Sequence, residues 1–214
     1  MKRTFSALVL ILAAASLFAQ NSTAVIKEFT GTVELKPNSS ANWVPARAGA
    51  AISKSTIVST GFRSTAILTI GNSTLTVHPL TRLTLEELMN QNQSETVNLK
   101  LNTGKVRVEV APPSGGRTNF NVQSPSATAS VRGTSFTMDS NSIQVQTGAV
   151  GYSSANGSVT VSAGNESYVT EDGSVVSALA ALEAAVSPAG KMGRNSIKSK
   201  ADGSLEIEIE LVSK

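Results

Sequence analysis

Residues 65–77 read TAILTIGNSTLTV. Ala66, Leu68 and Ile70 alternate with their neighbours, Gly71-Asn72 interrupts, and Leu75 and Val77 resume the rhythm. Successive side chains of a strand point to opposite faces, so a period of two on both sides of a glycine step predicts two short half-buried strands. The same rhythm runs from Ala24 to Thr170. Val33 and Leu35, Leu83 and Leu85, Val97 to Leu101, Val106 to Val110, Phe120-Val122, Phe136-Met138, Ile143-Val145, Val150-Tyr152, Val159-Val161 and Tyr168-Val169 are separated by Gly, Asn, Ser and Pro. Turn residues every 8–12 positions predict an all-β module of many short strands over residues 24–172. The one stretch with a helical alternative is Leu83 to Met89, which allows a single turn.

A loose echo runs through these strands. Gly31-Thr-Val33, Gly104-Lys-Val106 and Gly148-Ala-Val150 each set a glycine before an alternating run. Their unequal spacing excludes a strict repeat and leaves two architectures open: short strands stacked solenoid-like and turning at glycines, or a sandwich.

The N-terminus has a different character. Met1-Lys2-Arg3 is followed by an apolar run from Phe5 to Phe18 and then by Ala19-Gln20. A basic head, a short apolar middle and a small exit residue form the secretory signal pattern, with cleavage expected near Ala19 and residues 1–19 removed. As a helix the run would span roughly 21 Å, short of a ~30 Å hydrocarbon core, so no stable transmembrane span is expected after cleavage. An uncleaved anchor is the other reading. The expected compartment is the periplasm or the extracellular side.

Charge and cysteine content narrow the function. The chain has 18 Lys+Arg and 15 Asp+Glu. Without residues 1–19 the balance is 16 to 15, which gives no electrostatic case for nucleic acid. With no cysteine, an exported chain must rely on a packed core. Chemistry finds little to work with. His78 is the only histidine and has no carboxylate at metal-ligand spacing; Gly133-Thr134-Ser135-Phe136-Thr137 lacks the second glycine of a nucleophile elbow. Glu86-Glu87, adjacent in a strand, face opposite ways. No enzyme, metal or cofactor is expected.

Residues 124–136, SPSATASVRGTSF, are the most distinctive stretch. Pro125 fixes φ and extends Ser124. Ala127, Ala129 and Val131 give a strand whose inward side chains are small, which allows a bulky group to approach. Gly133 marks a turn or close approach, Phe136 covers the space left by the alanines, and Arg132 braces the turn. The alternative for Arg132 is contact with an anion or ligand. Trp43, among Val44, Pro45 and Ala46, reads as a core or edge plug, with stacking on a partner as the alternative.

From Gly31 to Tyr152 the sequence resembles a FecR-type domain, found in bacterial extracytoplasmic proteins. The residues that carry the resemblance are Trp43-Val44-Pro45-Ala46 leading to Gly49, Ile57-Val58-Ser59-Thr60-Gly61, Gly71 to Val77, Leu99 to Val110, and above all Pro125 followed by small residues and Val131-Arg132-Gly133-Thr134-Ser135-Phe136. The regulators that name the family place a cytoplasmic sigma-engaging segment and a membrane span before this domain. Here a signal-like segment stands in their place, so sigma-factor regulation is not expected to carry over. What the resemblance implies is an exported, non-catalytic binding or scaffold module of the bacterial envelope with a role in sensing, or else a structural or adhesion component of the cell surface. The expected partner is an envelope protein or surface component.

Beyond Asp172, Val175, Leu179, Leu182 and Val186 are spaced as one helix face, predicting a helix over 174–187. Residues 188–204, which include KMGRNSIKSK, read as a basic linker. Residues 205–211, LEIEIEL, read as a terminal strand with Leu205, Ile207, Ile209 and Leu211 on one face. Those four must be covered, either by the module's own sheet or by a partner through strand addition.

Overall fold

The computed structural model describes residues 24–38, 40, 42–91, 94–112 and 115–177, together with the backbone of 196–199 and 205–208. The signal-like segment lies outside the described residues. The alternating pattern becomes strands almost everywhere it occurs. The chain opens with β1 (Ala24–Thr30), β2 (Val33–Lys36), the two-residue β3 (Val44–Pro45) and β4 (Ala51–Ile52), then β5 (Ile57–Thr60), β6 (Thr65–Ile70) and β7 (Ser73–Val77). Next come β8 (Arg82–Gln91), β9 (Ser94–Thr103), β10 (Val106–Glu109), β11 (Arg117–Gln123) and β12 (Ala127–Val131). The module ends with β13 (Ser135–Met138), β14 (Ser142–Thr147), β15 (Ala149–Ser154), β16 (Gly157–Ser162), β17 (Glu166–Val169) and β18 (Val175–Ser177).

These strands form two nine-stranded sheets. One runs β18-β17-β14-β13-β10-β7-β6-β1-β4, the other β16-β15-β12-β11-β9-β8-β5-β2-β3. Sequence order therefore advances along both sheets together, because the chain adds a strand or two to one and then crosses to the other. Both sheets turn their apolar residues into one core, with Ile26, Leu68, Leu75, Leu99, Phe120, Phe136 and Tyr152 fully buried. Pairing is antiparallel except between β9 and β11. That exception follows from the path: the chain leaves β9, runs β10 in the other sheet, and comes back in the direction it left.

Crossing between sheets exposes a backbone problem, since buried amides at a corner have no strand to pair with. Neighbouring corners solve it for one another. The Thr81 hydroxyl accepts from the Lys105 N–H at 3.0 Å and lies 3.1 Å from the Lys105 carbonyl, to which it donates. The Thr60 hydroxyl accepts from the Thr81 N–H at 3.0 Å and donates to the His78 carbonyl at 2.6 Å. Ser64 Oγ accepts from the Thr32 N–H at 2.8 Å, and the Gly61 N–H donates to the Thr32 carbonyl at 2.9 Å. The glycine echo is the other half of the device. At Gly104, φ is +91° and a Cβ would fall 2.3 Å from Thr81 Oγ1. Only glycine leaves the hydroxyl its place.

One expectation is corrected, and two others fall mostly outside the described residues. Leu83 to Met89 is not a helical turn but part of β8, and Glu86 explains the misleading spacing. The register jumps from Leu85↔Leu99 to Glu87↔Asn98, so a β-bulge at Glu86 shifts the apolar phase from Leu85 to Leu88. The helix expected over 174–187 does not begin there: Val175–Ser177 pairs with β17 as an edge strand, and 178–187 lie outside the described residues. The basic segment is not wholly a linker, because β19 (Ser196–Ser199) pairs antiparallel with β20 (Leu205–Glu208) in a separate two-stranded sheet. Leu205 and Ile207 thus lie on a local hairpin; Ile209 and Leu211 lie outside the described residues.

The buried set also includes polar side chains. Ser73, Glu95, Thr118 and Thr134 are buried, and each has a side-chain oxygen without a hydrogen-bond partner among the described residues. Glu95 and Thr118 are register partners across β9 and β11. The Glu95 carboxylate packs so closely on Gly71 that a Cβ there would overlap it. Burial pushes this carboxyl above its usual range, and the hydrogen bond from the Asn72 N–H draws it only partly back.

Two stability predictions follow from these contacts. Thr81→Val should leave the Lys105 N–H unpaired and cost about 1–3 kcal/mol in urea unfolding, whereas Thr76→Val on the outer face should stay within about 0.5 kcal/mol. Equal effects would remove the corner hydroxyl from its role. For Glu95, a raised folded-state value means that stability is full below the ordinary carboxylate range, near pH 4.3, and is lost as pH rises through the folded value. Glu95→Gln should therefore melt above wild type at pH 7, by about 2–4 °C for each kcal/mol relieved, and the gap should close towards pH 4. A gap independent of pH would mean the charge is not the cost.

Candidate functional site

Core side chains are bound to the fold, so a site must be sought among groups that the core does not use. The clearest group lies at the corner between β5 and β6 and its neighbour between β7 and β8. Phe62 is 72% exposed and Leu80 60%, although both are large apolar residues. Trp43, at the start of the edge strand β3, is 36% exposed. They form linked contacts rather than scattered points. The Arg82 guanidinium lies over the Trp43 ring, 5.4 Å from its centroid, and that of Arg63 lies 5.3 Å from the centroid of Phe62. The Leu80 N–H donates to the Gly61 carbonyl at 3.2 Å, which ties the Leu80 corner to the residue preceding Phe62. An open hollow of ≈ 270 Å³ beside them is lined by Ser59, Leu80, Arg82 and Thr103, among others.

Backbone geometry singles out Leu80 further. Its φ is +55°, a left-handed conformation that a bulky L-residue adopts at a cost. The cost is met by the corner hydrogen bonds on either side: His78 N–H to the Lys105 carbonyl at 3.0 Å and Thr81 N–H to Thr60 Oγ1 at 3.0 Å. The result is an apolar side chain held out into solvent by a fixed backbone. Strain of this kind, maintained by surrounding structure, is characteristic of binding sites. Arginine stacked on exposed aromatic rings is likewise characteristic of protein–protein hot spots.

Of the readings of Trp43, the core plug falls away: its ring stands at a sheet edge, partly exposed and covered by Arg82. Phe62, Leu80, Arg63 and Arg82 escaped the sequence reading. Their signal was a large apolar residue standing in turn sequence, out of phase with the strands on either side.

The motif at 124–136 lies elsewhere. Pro125 occupies the turn between β11 and β12, where the Ser124 N–H donates to the Ala127 carbonyl at 2.8 Å. Ser124 Oγ secures that turn by accepting from the Ala127 N–H at 3.1 Å and donating to the Ser140 carbonyl at 2.7 Å. Ala129 is fully buried opposite Tyr152, and so its smallness has a specific cause. Burial pushes the Tyr152 phenol up to about 12. Phe136 is buried in the other sheet, between Val108 and Val145. Gly133 has a φ of +68°, and the Thr134 carbonyl accepts from the Val110 N–H at 2.8 Å. Arg132 departs from expectation. It is exposed, and its side chain has no hydrogen bond or ion pair among the described residues.

His78 is pushed below its usual value by burial and by Lys105 and Arg107. Among the described residues no group of three or more His, Cys, Asp or Glu is placed to hold a metal ion, and no helix is long and apolar enough to cross a membrane.

Comparison with known proteins gives two kinds of match. A family model described as FecR protein matches residues 56–165, which takes in the Leu80 corner and the whole 124–136 motif. Two crystal structures of a "putative anti-sigma factor from Parabacteroides distasonis ATCC 8503", at 2.50 Å and 1.65 Å resolution, are each 16% identical with a TM-score of 0.47. The similarity covers 56% of this chain and 58% of that one, so this chain spans little more than half of their length. No curated protein matches the chain.

Proposed function

We propose a function from one premise: the chain belongs to the FecR protein family. It is a non-catalytic, exported docking module of the bacterial envelope that works in extracytoplasmic signalling. The signal-like segment at residues 1–19 directs export and is cleaved near Ala19. The module then meets a protein partner through the corner formed by Trp43, Phe62, Leu80 and the two arginines.

The observation that carries this reading is Leu80: a bulky apolar side chain, largely exposed, on a left-handed backbone. Nothing in the packing of the module needs that side chain, and local conformational preference disfavours it. Arg63 and Arg82 on the neighbouring rings favour a partner with an apolar residue framed by carboxylates.

Leu80→Asn separates binding from folding. Asparagine accepts left-handed backbone more readily than leucine, so this variant should melt at or above wild type. Recovery of the partner from the native envelope fraction should nonetheless collapse. Trp43→Ala should weaken the same complex by about 2 kcal/mol or more, roughly thirtyfold. If the same proteins are recovered by wild type and both variants, the corner is not the docking surface. Export is tested separately by the mass of the protein from its own host, which should lack about the first 19 residues; an intact Met1 would refute it.

A further inference from the structure

Arg132 is left over from both accounts, since it supports no turn and lies apart from the Leu80 corner. It lines two adjoining hollows on the sheet that carries β9, β11, β12 and β15. One, of ≈ 370 Å³, is lined by Pro112, Gly116, Arg117, Thr118, Arg132 and Gly133. The other, of ≈ 580 Å³, includes Thr96, Asn119, Asn121, Ser130 and Arg132. Arg117 is also exposed and also lacks an ion pair among the described residues. Thr118 borders the first hollow, but its side chain is buried with those of Phe120 and Val122 on the core face of β11.

From these groups we infer that the joined hollows bind an acidic oligosaccharide. Its carboxylate sits between Arg117 and Arg132, and its hydroxyls lie along the amide and hydroxyl side chains. Two guanidinium groups without partners are suited to a carboxylate. The second hollow adds polar groups already fixed in place. Asn121 Nδ2 donates to Asn98 Oδ1 at 2.8 Å, and the Ser130 hydroxyl donates to Asn121 Oδ1 at 2.8 Å. Thr96 and Asn119 stand side by side in register on β9 and β11.

An acidic peptide fits these hollows less well. Strands β9, β11, β12 and β15 are paired on both sides, so no edge is free for strand addition. Apart from Val131 and Ala149, the larger hollow has no apolar side chain to receive one. Glu95 is turned inward on Gly71 with burial favouring its neutral form. Glu87 is the acid tied to the second hollow, accepting from Asn98 Nδ2, whose Oδ1 in turn accepts from Asn121.

Calorimetry on the full chain tests this with an oligogalacturonate as the acidic probe and maltotriose as the neutral one. The oligogalacturonate should bind and maltotriose should bind at least about tenfold more weakly, the loss expected when a charged hydrogen bond is forfeited. Arg132→Ala and Arg117→Ala should each weaken binding about tenfold or more without lowering the melting temperature, because both side chains are exposed. Leu80→Asn should leave it unchanged, so this inference can fail while the docking corner stands, and the reverse. Absence of oligogalacturonate binding, or binding undiminished in the double arginine variant, overturns the proposal. Equal competition by inorganic phosphate or by a polyglutamate peptide also overturns it, since the hydroxyl-reading groups would then contribute nothing.

Discussion

The architecture depends on how a chain can pass between two sheets again and again without leaving corner amides buried and unpaired. Its answer is a hydroxyl from one corner set beneath the backbone of the next. Thr81 serves Lys105, Thr60 serves Thr81, and Ser64 serves Thr32. An amide without a partner costs roughly 1–3 kcal/mol, a sizeable share of the 5–15 kcal/mol that keeps a domain folded. Several such corners make the ladder indispensable. Gly104 shows how closely the parts are fitted, for its missing side chain is the space in which the Thr81 hydroxyl sits.

That arrangement explains what could be read in advance. Alternation is local, so nearly every strand from β1 to β17 was visible, as was the glycine that precedes each echoing run. The hydroxyl partners were not visible, because a serine or threonine at a corner looks like any other in a chain rich in both. The bulge at Glu86 imitated a helical turn by displacing the apolar phase by one residue. The spacing that starts at Val175 suggested a helix face, yet Val175–Ser177 first completes the edge of a sheet. Trp43 looked like a plug because its neighbours are apolar. Its stacking partner, Arg82, lies three strands away in the same sheet.

The motif at 124–136 illustrates how one stretch can hold two kinds of residue. Its small inward side chains are dictated by the fold, with Ala129 opposite Tyr152. Its turn is dictated too, through Pro125 and the Ser124 hydroxyl. Arg132 follows the last inward residue of β12 and is subject to neither demand. Sequence alone could set out bracing and ligand contact as alternatives; among the described residues Arg132 has no ion pair that would brace it.

The Leu80 corner stands in a different relation to the fold. Leu80 falls between Pro79 and Thr81, and both the carbonyl of Pro79 and the amide of Thr81 accept or donate within the hydroxyl ladder. The same bonds that let the chain change sheets therefore hold the exposed side chain in its unfavourable conformation. A partner that seats Leu80 meets a surface ordered before contact, so little further ordering entropy is lost on binding. It also follows that complex formation should move the module's backbone little, as in other pre-organised interfaces. On the proposed docking role, such a surface needs no conformational change within the sandwich to bring a partner to a fixed point.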